Sequence, residues 1–240
     1  MNKKLLLISN STNRGEKYLG WCLPLIEDFC KRWGVKSVLF VPYAGVTAGY
    51  DAYTEKVSAI YQTIGIKLYS VHTQKDPVAA VNEAECIAVG GGNTFNLVYE
   101  MQRTGIMSAI AQRATEGVPY MGWSAGSNVA GLSLKTTNDM PIIEPQSFDC
   151  MQLVPFQINP HYTDFFDPKH GGETRDDRLL EFIKLEPHCW VAAIREATAL
   201  SLENGNLKLI GRDNKMKVFR GDKGDAKEYS LKDDINFLMK

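Results

Sequence analysis

Five short apolar runs, at residues 4–9, 37–41, 67–71, 86–89 and 118–122, are too short for helices and too uniformly apolar for strands with one wet face. They read as strands buried on both sides. Longer segments of helical period lie between or after them, at 18–33, 52–64, 94–103 and 107–116. About five βα units of this kind call for an α/β fold, a mostly parallel central sheet with helices on both faces. After Asn138 the pattern changes. Residues 153–158 read as a further strand and 174–185 as a helix, followed by a strand-and-turn series at 190–194, 199–203, 207–210 and 217–219. Asn204-Gly205 between two of these is a two-residue hairpin signal. Residues 221–227 read as a polar turn and 233–240 as a short terminal helix. No repeat, low-complexity tract or linker interrupts the chain, so residues 1–240 are expected to form one domain with a C-terminal strand-and-turn extension.

Charge and cysteine content narrow the function classes. Twenty-seven basic residues face 28 acidic ones, a net charge of -1, so no overall field draws the protein to nucleic acid or anionic lipid. The longest apolar runs fall far short of the roughly 18 residues of a membrane span. The basic start and apolar run of residues 3–8 pass into Ser9-Asn10-Ser11 without a small-residue cleavage site, and so suit a first strand better than a secretory signal. Five cysteines are odd in number and form no Cys-x-x-Cys pair, which argues against a disulfide framework or zinc knuckle and for a reducing, cytoplasmic setting.

The chemistry-bearing feature is Gly122-Trp123-Ser124-Ala125-Gly126-Ser127-Asn128, directly after the fifth apolar run. Glycines two before and two after the serine permit a tight strand-to-helix turn that projects the hydroxyl, with the next amide facing a developing oxyanion. Gly90-Gly91-Gly92-Asn93-Thr94-Phe95 follows the fourth run. It lacks the third glycine of a dinucleotide fingerprint. Its bare backbone at Gly91 and Gly92 could supply a second oxyanion donor beside Ala125, or it could simply start a helix capped by Asn93 or Thr94.

A serine needs a base. Of four histidines, His161 is best placed, because Phe156-Gln157-Ile158-Asn159-Pro160 sets it just past a buried strand, where ligands bind in open α/β sheets. His72, His170 and His188 read as surface or capping residues. The acid that would orient the imidazole is either Asp139 or Glu196, and spacing does not choose between them. His161, Asp164, Asp167 and His170 recur every three residues as a rival metal-ligand set, but Pro168 and Gly171-Gly172 break any single helix face, so no metal is expected.

Together these segments resemble peptidase E, serine dipeptidases specific for an N-terminal aspartate that share a fold with class I glutamine amidotransferases. Residues 90–95, 122–128, 136–141, 159–163 and 172–175 carry the resemblance in the family's order and spacing, and it extends over essentially the whole chain. Amidotransferases have cysteine at the elbow, so Ser124 favours the peptidase branch. The resemblance implies Ser124 as nucleophile, His161 as general base and acid, and Asp139 as charge-relay acid, with Glu196 at an acidic position also near the histidine. It further implies that Arg175 recognises the aspartyl carboxylate. A guanidinium in the first turn of a helix opposes the macrodipole, which points to a role other than helix stability, a surface ion pair with Glu173, Asp176 or Asp177 being the alternative. Ala197 stands where the family pattern leads one to expect glycine. The implied activity is hydrolysis of Asp-Xaa dipeptides through an acyl-enzyme, without cofactor, by a monomer or homodimer. A peptidase or amidase of other specificity, such as one acting on β-linked aspartyl polymers as cyanophycinases do, and a non-catalytic binding module are the alternatives.

Overall fold

The computed structural model describes residues 3–166, 169, 171–212 and 215–240. Its main sheet has seven strands in the order β3-β2-β4-β5-β1-β8-β9. The parallel part comprises β1 (Lys4–Ile8), β2 (Ser37–Val41), β3 (Lys67–Ser70), β4 (Ile87–Val89) and β5 (Tyr120–Trp123). The apolar runs alternate between two cores despite having no polar partner face. Leu5, Leu7, Leu39, Val41, Ile87 and Val89 point to one side, where α3 (Pro77–Glu83), α4 (Thr94–Arg103) and α5 (Ile106–Glu116) cover them. Leu6, Ile8, Val38, Phe40, Ala88 and Met121 point to the other, under α1 (Leu23–Arg32) and α2 (Tyr50–Gln62). Helices therefore cover both faces, as double burial of the strands requires.

Several boundaries move for identifiable reasons. The first helix starts at Leu23 rather than near residue 18, because Pro24 suits a first turn and Leu19, at φ 57°, interrupts any earlier one. Helix α3 was not anticipated, although Asp76 before Pro77 caps it by accepting from the Ala79 amide at 2.9 Å. Asn204 and Gly205 both take positive φ, 52° and 75°, and join β8 (Thr198–Glu203) to β9 (Asn206–Gly211) as the two-residue turn expected.

The C-terminal series is not an appended extension. Its hairpin β8–β9 completes the main sheet by pairing antiparallel to β1. The remaining strands, β7 (Val191–Arg195), β10 (Met216–Phe219) and β11 (Lys227–Tyr229), join β6 (Gln157–Tyr162) in a second sheet of order β11-β10-β7-β6. Helix α7 (Arg175–Leu185) packs Leu179 and Ile183 on this sheet beside Tyr162, Val191 and Phe219. Consecutive strands β7 and β8 thus belong to different sheets, and the turn at Glu196-Ala197 carries the chain across. Among the described residues, no helix is long and apolar enough to cross a membrane, and the five cysteines are unpaired.

Candidate active site

The elbow forms because two glycines allow it. Ser124 sits between β5 and the single-turn helix α6 (Ala125–Asn128) at φ 55°, ψ -115°, a conformation that needs support from its surroundings. A Cβ on Gly122 would lie 2.2 Å from the Gly126 carbonyl oxygen, and one on Gly126 would lie 2.1 Å from that of Val89. No other residue fits either place. The Ser124 amide donates to the Ile8 carbonyl at 3.0 Å, and Ser127 Oγ bonds the carbonyls of Ile8 and Gly122 at 2.7 and 2.8 Å, which ties the strained turn to β1. Tyr120 donates its hydroxyl to the Gly126 carbonyl at 2.6 Å from below.

The triglycine loop starts a helix, as one of its two readings expected, and also packs against the elbow. Asn93 caps α4 by accepting from the Asn96 amide, while the backbone ahead of it presses on the serine. A Cβ on Gly91 would lie 2.8 Å from that of Ser124, and Gly92, at φ 137°, leaves no room for one against the Ala44 carbonyl. Among the described residues, the amides of Gly92 and Ala125 donate to no backbone carbonyl.

His161 bridges the serine to an acid. Its Nε2 is 2.9 Å from Ser124 Oγ and its Nδ1 is 3.0 Å from Glu196 Oε1, contacts that assign the proton to Nδ1 in the neutral ring. The histidine lies within β6 rather than past its end. Residues 153–156 are irregular around Pro155, and the strand runs on through Pro160, which the outer position of β6 tolerates. A register shift against β7 between Asn159 and Tyr162, with His161 at φ 53°, turns the ring out of the strand's normal alternation. The His161 amide donates to Ser9 Oγ at 2.9 Å, so the end of β1 holds the bulge.

Glu196 occupies the turn between β7 and β8, fixed by the Ala197 amide donating to Asn10 Oδ1 at 2.8 Å. Ala197 itself adopts φ 62°, where glycine would be unstrained. Asp139, by contrast, makes no hydrogen bond to the imidazole among the described residues and is engaged elsewhere. Its Oδ2 accepts from the Thr94 amide at 2.7 Å, the Thr94 hydroxyl at 2.6 Å and the Thr137 hydroxyl at 3.1 Å. Of the two acids that sequence left open, Glu196 is the one at hydrogen-bond distance from His161 Nδ1.

Ser124 and His161 stand at the junction of two cavities. The smaller, about 230 Å³, is polar and is lined by Thr94, Ala125, Asn138, Asp139 and Arg175. The larger, about 640 Å³, opens over Tyr18, Val46, Tyr53, Lys56 and Ile142. Arg175 is the first residue of α7, whose cap is Thr174 in a reciprocal box with Asp177. Its guanidinium donates to Asn138 Oδ1. The surface ion pair that was the alternative reading of Arg175 is not seen: Glu173 pairs with Arg178, Asp176 with Lys217, and Asp177 with the helix cap. Burial and the neighbouring Arg178 lower its pKa from the usual guanidinium value, against the opposing pull of Asp139. It remains a half-buried cation with no carboxylate at ion-pair distance among the described residues.

The structure also places residues that sequence reasoning missed. Arg195 binds Asp164 at 2.8 Å and Glu228 at 2.6 Å, clamping the end of β7, next to Glu196, to β11 and to the loop after β6. Tyr18 and Tyr53 share a 2.8 Å hydrogen bond, and each accepts from the Trp123 indole at 3.0 Å. Burial raises the pKa of both, that of Tyr53 well above 10, so both are neutral. His72 and His188 pair with Asp51 and Asp222 away from the elbow. Of the possible metal set, Asp167 and His170 lie outside the described residues and Asp164 is engaged by Arg195; among the described residues no group of three acidic, histidine or cysteine side chains is arranged for a metal.

The model of peptidase family S51 matches residues 5–210. The chain belongs to peptidase family S51. A peptidase E from a Nostoc species is 44% identical over 239 residues, covering 100% of this chain and 98% of the relative. One from Shewanella amazonensis is 45% identical over 221 residues, 92% of this chain and 93% of that one. The crystal structure of a peptidase from an acI-B1 actinobacterium shares the fold at a TM-score of 0.73 and 18% identity, covering 98% of this chain and 97% of the other. The family S51 chain described here is accordingly a peptidase, with an α/β fold around a mostly parallel sheet.

Proposed function

We propose that this peptidase is a serine dipeptidase that removes a free N-terminal aspartate from Asp-Xaa. The observation that carries the reading is Arg175, which has no carboxylate at ion-pair distance among the described residues, in the small cavity beside a Ser124–His161–Glu196 chain of hydrogen bonds. The aspartyl side chain enters this cavity and accepts hydrogen bonds from the Arg175 guanidinium. Asp139, on the same wall, receives the substrate's ammonium group.

Ser124 Oγ attacks the scissile carbonyl as His161 Nε2 takes its proton, and Glu196 stabilises the imidazolium. The amides of Ala125 and of Gly92 or Gly91 hold the oxyanion, each contributing about 100- to 1,000-fold in turnover. His161 then gives its proton to the leaving amine, so the C–N bond breaks and Xaa departs, leaving aspartyl-Ser124. Water, deprotonated by the same imidazole, attacks this ester; the C–Oγ bond breaks, and the proton returns to Ser124 as aspartate leaves. The sequence draws on protein groups and water alone.

The test is hydrolysis of Asp-Leu, Glu-Leu, Ala-Leu and N-acetyl-Asp-Leu by the protein and by Ser124→Ala, with chelator present. Cleavage of Asp-Leu alone, abolished in the variant, is expected. Full activity of Ser124→Ala would refute the serine mechanism, and equal cleavage of Ala-Leu would refute the role of Arg175.

A further inference from the structure

We propose that Lys56 binds the free α-carboxylate of the departing residue and makes the larger cavity a receptor for one C-terminal apolar amino acid. The inference rests on the function proposed above and assigns the half of the substrate that Arg175 does not reach.

The larger cavity shares Ser124 and His161 with the small polar one and otherwise has walls of its own, so with the aspartyl side chain in the small cavity it is the space left for the leaving group. Among the described residues lining it, Lys56 is the one ammonium or guanidinium, and no carboxylate lines it. Tyr53 and Lys56 are three residues apart on α2 and so share the face turned to the cavity. The Lys56 ammonium has no acidic partner at ion-pair distance among the described residues; it lies 3.8 Å from the centroid of the Tyr18 ring. That ring leads back to the nucleophile, since its hydroxyl meets the indole of Trp123, the residue before Ser124.

Length favours a dipeptide. One residue spans at most about 3.6 Å, so the carboxylate of Asp-Xaa stays within a residue's length of the scissile carbonyl, inside this cavity. Val46 and Ile142 explain the class of side chain. Both are large apolar residues left exposed, at 47% and 55%, on the cavity wall, where an apolar Xaa would cover them.

The alternative is that Lys56 only braces Tyr18 through its cation–π contact. Comparing kcat/KM for Asp-Leu and Asp-leucinamide separates the two, because the amide lacks only the terminal charge. The intact protein is expected to favour Asp-Leu by about tenfold, the effect of one partly exposed charged hydrogen bond. That ratio should fall toward one in Lys56→Met and be largely kept in Lys56→Arg. Because it is taken within one preparation, the ratio does not depend on the fraction folded, and Lys56→Gln gives a second reading. A ratio near one in the intact protein, or an unchanged ratio in Lys56→Met, overturns the inference while brisk aspartyl cleavage leaves the proposed function standing. Cleavage of neither compound by the intact protein overturns both.

Discussion

Replacing Glu196 by Gln keeps an oxygen to accept from His161 Nδ1 but removes the charge that faces the imidazolium. The size of the effect follows from exposure. The two side chains retain 37% and 53% of their accessible surface, so water screens the pair far more than it would a buried one. At contact distance a unit charge pair is worth about 1 kcal/mol in bulk water and about 4 kcal/mol at the effective dielectric of a protein surface. The middle of that range is about a hundredfold in kcat at roughly 1.4 kcal/mol per decade. Glu196→Gln should therefore lower kcat on Asp-Leu about a hundredfold with little change in KM, less than the roughly 10,000-fold typical when a buried triad acid is neutralised. Asp139→Asn, which alters the wall shared with Arg175, should act mainly by raising KM. Steady-state release of leucine by the two variants measures both. A hundredfold loss of kcat at unchanged KM in Asp139→Asn, beside near-normal Glu196→Gln, would refute the assignment drawn from the 3.0 Å contact.

Two further outcomes test the frame that holds the site. Ala197→Gly should leave the fold intact and raise stability by up to about 1 kcal/mol, as relief of left-handed strain exceeds the added freedom of the unfolded chain; urea midpoints at constant m would show it, and a loss of more than 1 kcal/mol would refute the strain. Hydrogen bonding from Arg195 lowers the pKa of Asp164, and Lys215 followed by Arg195 lowers that of Glu228. With folded values below unfolded ones, this stabilisation is complete above roughly pH 4.5 and is lost as pH falls through the lowered values. Arg195→Met should thus cost about 1 kcal/mol at neutral pH, the scale of exposed pairs, with the gap from the parent protein closing in acid; a gap independent of pH would refute it.

What could be read from the chain was local. Apolar runs and glycine spacing fix β1 to β5 and the elbow, because Gly122 and Gly126 answer to backbone only a few residues away or on the adjacent strand. The imidazole could be nominated, but not its presentation, since the bulge at His161 depends on Ser9, 152 positions earlier. Choosing between Asp139 and Glu196 needed the fold for the same reason: Asp139 is committed to Thr94, 45 positions away, and Glu196 owes its place to Asn10. Nor could strand propensity divide the C-terminal strands between two sheets, because β7 and β8 are equally apolar runs on either side of one turn. Lys56 gave no signal in a helix whose exposed positions are ordinarily polar.

The line from Ser124 through His161 to Glu196 is drawn across a seam. The serine belongs to the seven-stranded sheet, the imidazole to the four-stranded one, and the carboxylate to the turn that passes between them. A slip of one sheet past the other by an ångström would leave each strand paired within its own sheet, yet would open two contacts of about 3 Å and shear the core that the sheets share, where Leu5, Leu7 and Leu200 cluster with Ile158, Ile194 and Val218. On the proposed mechanism, mutations along this boundary would be felt in catalysis and in melting together, because the seam carries both the hydrogen-bonded line and part of the larger core.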